Sequence, residues 1–333
     1  MIRVAGGREG GIYLPDFDLW MDSRRSRRAC VVSHAHGDHT AAHHAVLSTR
    51  ATAALLRCRG VSVRESRIAA YGSSMEWGGA RVTLYPAGHV RGSALVLVDD
   101  PGSGSSLLYS GDFRVRPGLT AEPLRSIHAD VLVMETTFGK PRYRFPDPER
   151  VVRELIKWCS ETLASGETPV LLCYSLGKGQ ELTARLRRAP FPIYLHPEHW
   201  RLASLYRDLG VVLPPHRPYQ PGQKLDGALL CSPQARSASW FLRLKRPRLA
   251  WISGWALDSW RVDAMGVDRA FPLSDHADYD ELLEFVGQVG PRKVWTLHGF
   301  AREFAADLRR RGFDADPLEP YRGQLSLFTL PPV

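Results

Sequence analysis

Hydrophobic and polar positions along the chain fall into two regimes. At first the apolar residues come in short runs broken by Gly, Pro and Asp, the pattern of strands and turns. Ile12–Leu14 and Leu19–Met21 read as strands around a Pro-Asp turn, and Ala29–Ser33 reads as a third. Ala51–Arg57 reads as a short helix, and Arg81–Tyr85, Ala94–Val98, Ser106–Ser110 and Val131–Met134 follow as β segments. Then the period changes. Asp147 suits an N-cap with Pro148 at the first helical position, and Val151, Val152, Leu155, Ile156, Cys159 and Leu163 trace one helical face. Strand Val170–Cys173, helix Gly179–Arg188, strand Ile193–Leu195 and helix His199–Leu209 alternate as in a parallel sheet with covering helices. A Pro-rich connector precedes strand Ala228–Cys231, a short helix Ala238–Leu244 and strand Leu249–Ile252. The remainder returns to short strands ending in polar loops: Phe271–Leu273, helix Asp280–Val289, Val294–Leu297 and an amphipathic helix Arg302–Arg311. This order predicts an α/β protein in which a β-rich core (1–145 and 253–333) is interrupted by an inserted α/β cap (146–252).

At 333 residues and 44% hydrophobic, the chain has room for a sizeable core. It has neither a membrane-length apolar run nor an N-terminal signal-type segment, so no membrane partner and a cytoplasmic location are expected. Five cysteines scattered singly suit buried thiols in a reducing compartment. Charge changes the picture more. Leu182–Ala250 holds twelve basic residues against three acids, an excess equal to the whole net charge of +9. A basic cap beside a balanced core suggests a polyanionic partner, that is, nucleic acid.

The chemistry is concentrated in Ser33-His34-Ala35-His36-Gly37-Asp38-His39, at the end of a strand. Imidazoles and a carboxylate suit zinc or a similar divalent ion. The two histidines spaced by one residue can reach one ion, and the Asp-His pair a second. Further candidates, nearly all at strand ends before a turn, are His89, Asp112, Glu135, His276 and His298. His43 and His44 fall outside the packet's spacing and read as solvated helix residues. The cap histidines (His196, His199, His216) read as packing or phosphate contacts, and the aromatics (Trp200, Tyr206, Tyr219, Trp240) interleave with the cap arginines as in single-strand grooves, with core packing the expected role of at least half. Tyr174–Gln180 looks like a phosphate-cradling turn but lacks P-loop spacing. Lys178 at its helix start is a candidate phosphate contact, as are Arg243, Lys245, Arg246 and Arg248.

This set resembles the metallo-β-lactamase superfamily, and within it the β-CASP nucleases: the mRNA 3′-end cleavage endonuclease, ribonuclease J and the Artemis-type DNA repair enzymes. The motifs Pro86-Ala87-Gly88-His89-Val90, Ser110-Gly111-Asp112-Phe113, Glu135-Thr136-Thr137-Phe138-Gly139, Tyr174-Ser175-Leu176-Gly177-Lys178-Gly179-Gln180, Ser253-Gly254-Trp255, Leu273-Ser274-Asp275-His276-Ala277-Asp278 and Thr296-Leu297-His298-Gly299 are similar in particular to bacterial exonucleases associated with DNA ligase. The resemblance covers essentially the whole chain. It implies an αββα sandwich with an inserted β-CASP cap. It implies two divalent ions, zinc or alternatively manganese: one on His34, His36 and His89, the other on Asp38, His39 and His298, with Asp112 bridging. It makes Asp22 an orienter of the packet, Asp38 also catalytic, and Glu135 and His276 the cap-associated acid and histidine. A general acid is then available if Glu135 holds the His276 ring.

The expected activity is phosphodiester hydrolysis, as a 5′-to-3′ DNA exonuclease in DNA repair, with RNA processing as the alternative. Association with a DNA ligase and a helicase is implied likewise. Ser253 and Trp255 are candidates for reading a strand end. Arg91 departs from the pattern, standing where the relatives carry an apolar residue, and no appended RNA-binding domain is expected. A small-molecule hydrolase of this fold would have no use for the basic cap or the Glu135/His276 pair.

Overall fold

The computed structural model describes residues 1–6 and 11–318. Their strands form three sheets. In the first, six strands from Ala5–Gly6 to Glu65–Ile68 lie side by side in chain order. The second has seven, with Lys293–Leu297 inserted beside Val131–Glu135 and parallel to it. These two sheets share one core. Leu14, Met21, Val31 and Leu47 of the first pack on Leu84, Val96, Val98, Tyr109 and Val133 of the second.

The period-two alternation of strands then decides what the outer faces bury. In Ala94–Asp99, Val96 and Val98 point into the sandwich, while Leu95 and Leu97 point outward. They pack with Leu282, Phe285, Phe304 and Leu308 of the helices Tyr279–Val289 and Ala301–Arg310. On the other side Cys30, Val32 and Val46 pack on Leu55 and Leu56 of helix Arg50–Cys58 and on Leu202 and Tyr206 of the cap helix Pro197–Asp208. The layering is αββα.

The third sheet, the cap, is parallel throughout, with apolar clusters on both faces. Helix Pro148–Ala164 covers it, capped by the Asp147 carboxylate at the N–H groups of Glu149 and Arg150. The cap sheet does not stop at Ile252. Arg269–Phe271 pairs parallel with Pro247–Ile252, so the cap's strands reach nineteen residues past the expected break, to Phe271. A three-residue edge strand with an exposed arginine carries no periodic signal. The helix expected over Ala238–Leu244 is also absent. The 3-10 turns Pro233–Ser237 and Phe241–Arg243 flank Ala238, whose extended ψ of 144° breaks any helix there.

Cap and core are tied by buried polar contacts. Arg91 donates its backbone N–H to the Tyr206 hydroxyl (3.2 Å) and an Nη2 hydrogen to the Leu209 carbonyl (2.8 Å), and its Nη1 pairs with Glu122 at 3.1 Å. The departure from the family pattern is thus a clasp. Glu181 of the cap helix Lys178–Arg185 accepts from core Arg114 (3.3 Å), Leu119 N–H (2.8 Å) and Thr120 Oγ1 (3.1 Å).

Candidate metal centre

Strand Ala29–Val31 ends just before the His packet, whose Gly37–His39 closes as a 3-10 turn, and the Ser33 carbonyl accepts from Ala94 N–H of the second sheet at 2.9 Å. Four groups meet there. His34 Nε2 and His89 Nε2 each lie 3.1 Å from His36 Nδ1, and Asp112 Oδ2 lies 3.5 Å from His34 Nε2 and 3.9 Å from His89 Nε2. All four ligand atoms fall within 4.8 Å of one another.

The far side of each ring explains why it points inward. His34 Nδ1 is 3.0 Å from Ser33 Oγ, His36 Nε2 is 3.2 Å from the Leu176 carbonyl, and His89 Nδ1 is 2.9 Å from the Asp275 carbonyl. A carbonyl accepts only, so the outer nitrogens of His36 and His89 carry the hydrogens and their inner nitrogens are left as lone pairs. Facing lone pairs at hydrogen-bond distance repel unless a cation sits among them. Burial also holds His34 and His36 below their ordinary imidazole values and pushes His89 down to about 3, so all three are neutral and ready to ligate. The donor set suits a divalent ion such as zinc.

A second group adjoins it. His39 Nε2 lies 3.3 Å from Asp112 Oδ2 and 3.8 Å from Asp38 Oδ2, and the His298 ring centroid is 5.6 Å from that of His39. Asp22 sets the His39 ring. Its carboxylate accepts from His39 Nδ1 (2.8 Å), Tyr109 OH (2.8 Å), Ser33 N–H (2.7 Å) and Ser33 Oγ (2.5 Å). His298 stands at positive φ (59°), followed by Gly299, where a Cβ would come within 2.4 Å of Thr137 Cα.

Beside both groups, His276 Nδ1 lies 2.9 and 3.1 Å from the two oxygens of Glu135. Glu135 is buried and also accepts from the Phe113 N–H at 3.0 Å and from the Thr137 hydroxyl. Burial works against charge on His276, but the charge and hydrogen bond of Glu135, helped by Asp112 and Asp275, outweigh it and raise the ring to about 10.

His36, Asp38, His39, Asp112, His276 and His298 floor a cleft of about 430 Å³ whose walls include Phe138, Ser253 and Trp255. Lys178 lines it too, but its ammonium is turned inward, 2.7 Å from Asp275 Oδ1 and donating to the Leu273 carbonyl at 2.8 Å. The expected phosphate contact is instead a buried strut from the cap to the loop that holds His89 and His276. Arg243, Lys245, Arg246 and Arg248 are not among the residues lining the cleft. Arg246 and Arg248 pair with Glu167, and Arg248 also with Asp268. His43, expected to be solvated, is buried, and its Nδ1 accepts the Arg27 N–H at 3.1 Å. Two lining residues, Arg59 and Tyr174, carried no functional signal of their own. Arg59 is one arginine among many, and Tyr174 stands out only through the motif around it.

Residues 269–316 match a family profile described as "RMMBL: Zn-dependent metallo-hydrolase RNA specificity domain". The chain is 43% identical over 306 residues to a "Probable DNA ligase" of Opitutus terrae, covering 92% of this chain and 30% of that protein. It is 25% identical over 306 residues to the "DNA cross-link repair protein SNM1" of Arabidopsis thaliana (80% of this chain, 60% of that one). It is 30% identical over 129 residues to the "RNase aCSPSF2" of Saccharolobus solfataricus (37% and 25%).

The chain belongs to the β-CASP group of the metallo-β-lactamase superfamily.

It spans less than two thirds of each of these relatives. The profile's segment is woven into the β-CASP fold, running from the last cap strand through the two core helices, and is not an appended unit. A solved Enterococcus faecalis protein of unknown function shares the architecture, with a TM-score of 0.56, 15% identity, and coverage of 89% of this chain and 80% of that one.

Proposed function

We propose that this β-CASP protein is a two-metal phosphodiesterase acting on nucleic acid, a 5′-to-3′ DNA exonuclease in DNA repair. The observation that carries the reading is His276, held by buried Glu135 and beside Asp112, on the floor of a cleft that cap and core wall together. His34, His36 and His89 would hold one ion and Asp38, His39 and His298 the other, with Asp112 available to both. Zinc suits the imidazoles best, with manganese as the alternative. Bound ions would supply an activated water at neutral pH and a clamp on the phosphoryl oxygens.

The chain's own groups do the rest. His276, protonated at neutral pH, faces the cleft with Glu135 fixing its Nδ1, and gives its other proton to the departing oxygen. Asp22 keeps the His39 ring aimed. Phe138 and Trp255, packed at 4.6 Å, exclude water from one wall. Ser253 Oγ, 3.3 Å from the Trp255 N–H, and the Trp255 ring are placed to read a strand end.

DNA is favoured by relatives named for ligation and cross-link repair, and a functional link to a ligase and a helicase goes with that reading. RNA processing is the second reading, favoured by the ribonuclease-named relative and the profile's description. Five unpaired cysteines suit a cytoplasmic setting, and among the described residues no helix is long and apolar enough to cross a membrane. The test uses two DNA strands, one labelled at each end, and matched RNAs. The 5′ label should appear at once as mononucleotide while the 3′ label shortens progressively. The reverse order, cleavage of closed single-stranded circles at a comparable rate, or faster cutting of RNA would overturn this assignment.

A further inference from the structure

The helix Ser259–Met265, just beyond the cleft wall, buries none of its seven residues. Yet it carries Trp260, which is 61% exposed, although tryptophan is on average a highly buried residue. Next to it, the Arg261 guanidinium lies 4.6 Å from the Trp260 ring and 4.1 Å from the ring of Trp255, which lines the cleft. Arg261 is fixed from behind by Asp258 at 3.3 Å, itself held by the Tyr143 hydroxyl at 2.6 Å. Tyr174, 60% exposed, lines the same cleft from the cap. Arg59 joins it from the core, with Nη1 donating to the Ala35 carbonyl and the rest of its guanidinium left exposed.

Exposed rings interleaved with fixed cations, leading into a cleft with a ligand cluster on its floor, match one kind of partner. That partner has flat π faces joined by anionic links, and its faces must be uncovered. A duplex hides its base faces, whereas a single strand offers them. An apolar protein partner would desolvate Arg59, whose guanidinium donates to a carbonyl and not to an acid.

We propose that Tyr174, Trp260 and Arg261, continuing the wall begun by Trp255, form a single-strand platform outside the metal centre. It stacks the bases next to the cleaved bond and so selects unpaired strands. This rests on the nuclease reading above and adds to it the substrate's strandedness and the residues that choose it.

The test is binding by the metal-loaded full chain, read by fluorescence anisotropy. The probes are a phosphorothioate oligodeoxythymidylate about a dozen nucleotides long, which resists cleavage, and a phosphorothioate duplex of the same length. Tyr174→Ala and Trp260→Ala should each weaken single-strand binding about tenfold and change duplex binding much less. Trp260→Phe, which keeps a ring, should restore most of the loss. Val212→Ala, at an exposed cap position away from the cleft, should bind as wild type does. Unaltered single-strand binding in both alanine variants, or equal losses for single strand and duplex, would overturn the platform. If the protein cleaved no nucleic acid yet showed this binding pattern, the platform would stand and the nuclease reading would fall.

Discussion

The two halves of the ligand cluster are built differently, although the six residues His34–His39 contribute to both. In the half made by His34, His36 and His89, every ring is fixed on its far side, two of them by backbone carbonyls from distant loops. In the other half only His39 is held so firmly. The Asp38 carboxylate is 65% exposed, and His298 is exposed on a left-handed backbone that costs a non-glycine residue ~1–2 kcal/mol. On the proposed two-ion reading, the first half is organised before an ion arrives, while the second would leave part of its organisation to the ion. On this account one ion binds more tightly than the other, and the centre's reactivity resides on the looser side, next to Asp38 and the open cleft.

The largest expected effect lies with His276, proposed above as a proton donor and not a ligand. His276→Ala should lower kcat by roughly 10²–10⁴ with metal content intact, and Glu135→Gln should do so more mildly, since it loosens the ring without removing it. Loss of metal from His276→Ala would make His276 a ligand and break the division just drawn.

Asp22→Asn sharpens the comparison, because Asp22 holds His39 directly but reaches the other half only through Ser33, which touches His34. It should weaken binding of the looser ion roughly 10–100-fold and leave the tighter one in place, as read by isothermal titration with zinc.

A smaller effect concerns what keeps the cap over the centre. Glu181→Gln strips the acid from buried Arg114 and leaves Arg185 with Glu149 alone, and should cost roughly 3–5 kcal/mol in thermal or denaturant unfolding. Burial raises the Glu181 carboxyl, but Arg114 and Arg185 outweigh it and hold it below the ordinary 4.5. Its contribution is therefore complete above that pH and is lost as pH falls through the lower folded value. The wild type should lose stability on acidification more steeply than the variant. Smallest of all, neutralising Arg243, Lys245, Arg246 and Arg248 together should change the slope of log binding constant against log salt by less than about one, because these residues do not line the cleft.

Much of the centre was legible because its ligands cluster at strand ends in short, strongly typed motifs. The His packet needs only local geometry, and Asp112, Glu135 and His298 each follow an apolar strand. What was not legible depends on partners far away in sequence. Lys178 sits in a phosphate-loop-like turn, and nothing local says that Asp275 captures it 97 residues later. The basic run near Arg246 looked like a nucleic-acid face until Glu167 and Asp268 were found beside it.

In the fold, the long amphipathic helices and buried strands stood out. Strand Glu65–Ile68, exposed at every residue, lacks the alternation that identifies strands, and Ala45–Ser48, buried at every residue, lacks it for the opposite reason. The cap limit slipped to Phe271 because Arg269–Phe271 is recognised as a strand only by its partner.

The central claim is a two-ion centre with a tight half and a loose half, both dependent on Asp112. It is tested most directly by stepwise chelation of the purified protein, following metal content by elemental analysis alongside cleavage of a 5′-labelled strand. Wild type should start near two ions per chain and lose activity with the first ion removed, while the second persists to much higher chelator. Asp38→Ala should start near one ion and Asp112→Ala near none. A single ion per chain, loss of both ions in one step, or activity that survives chelation would contradict the account.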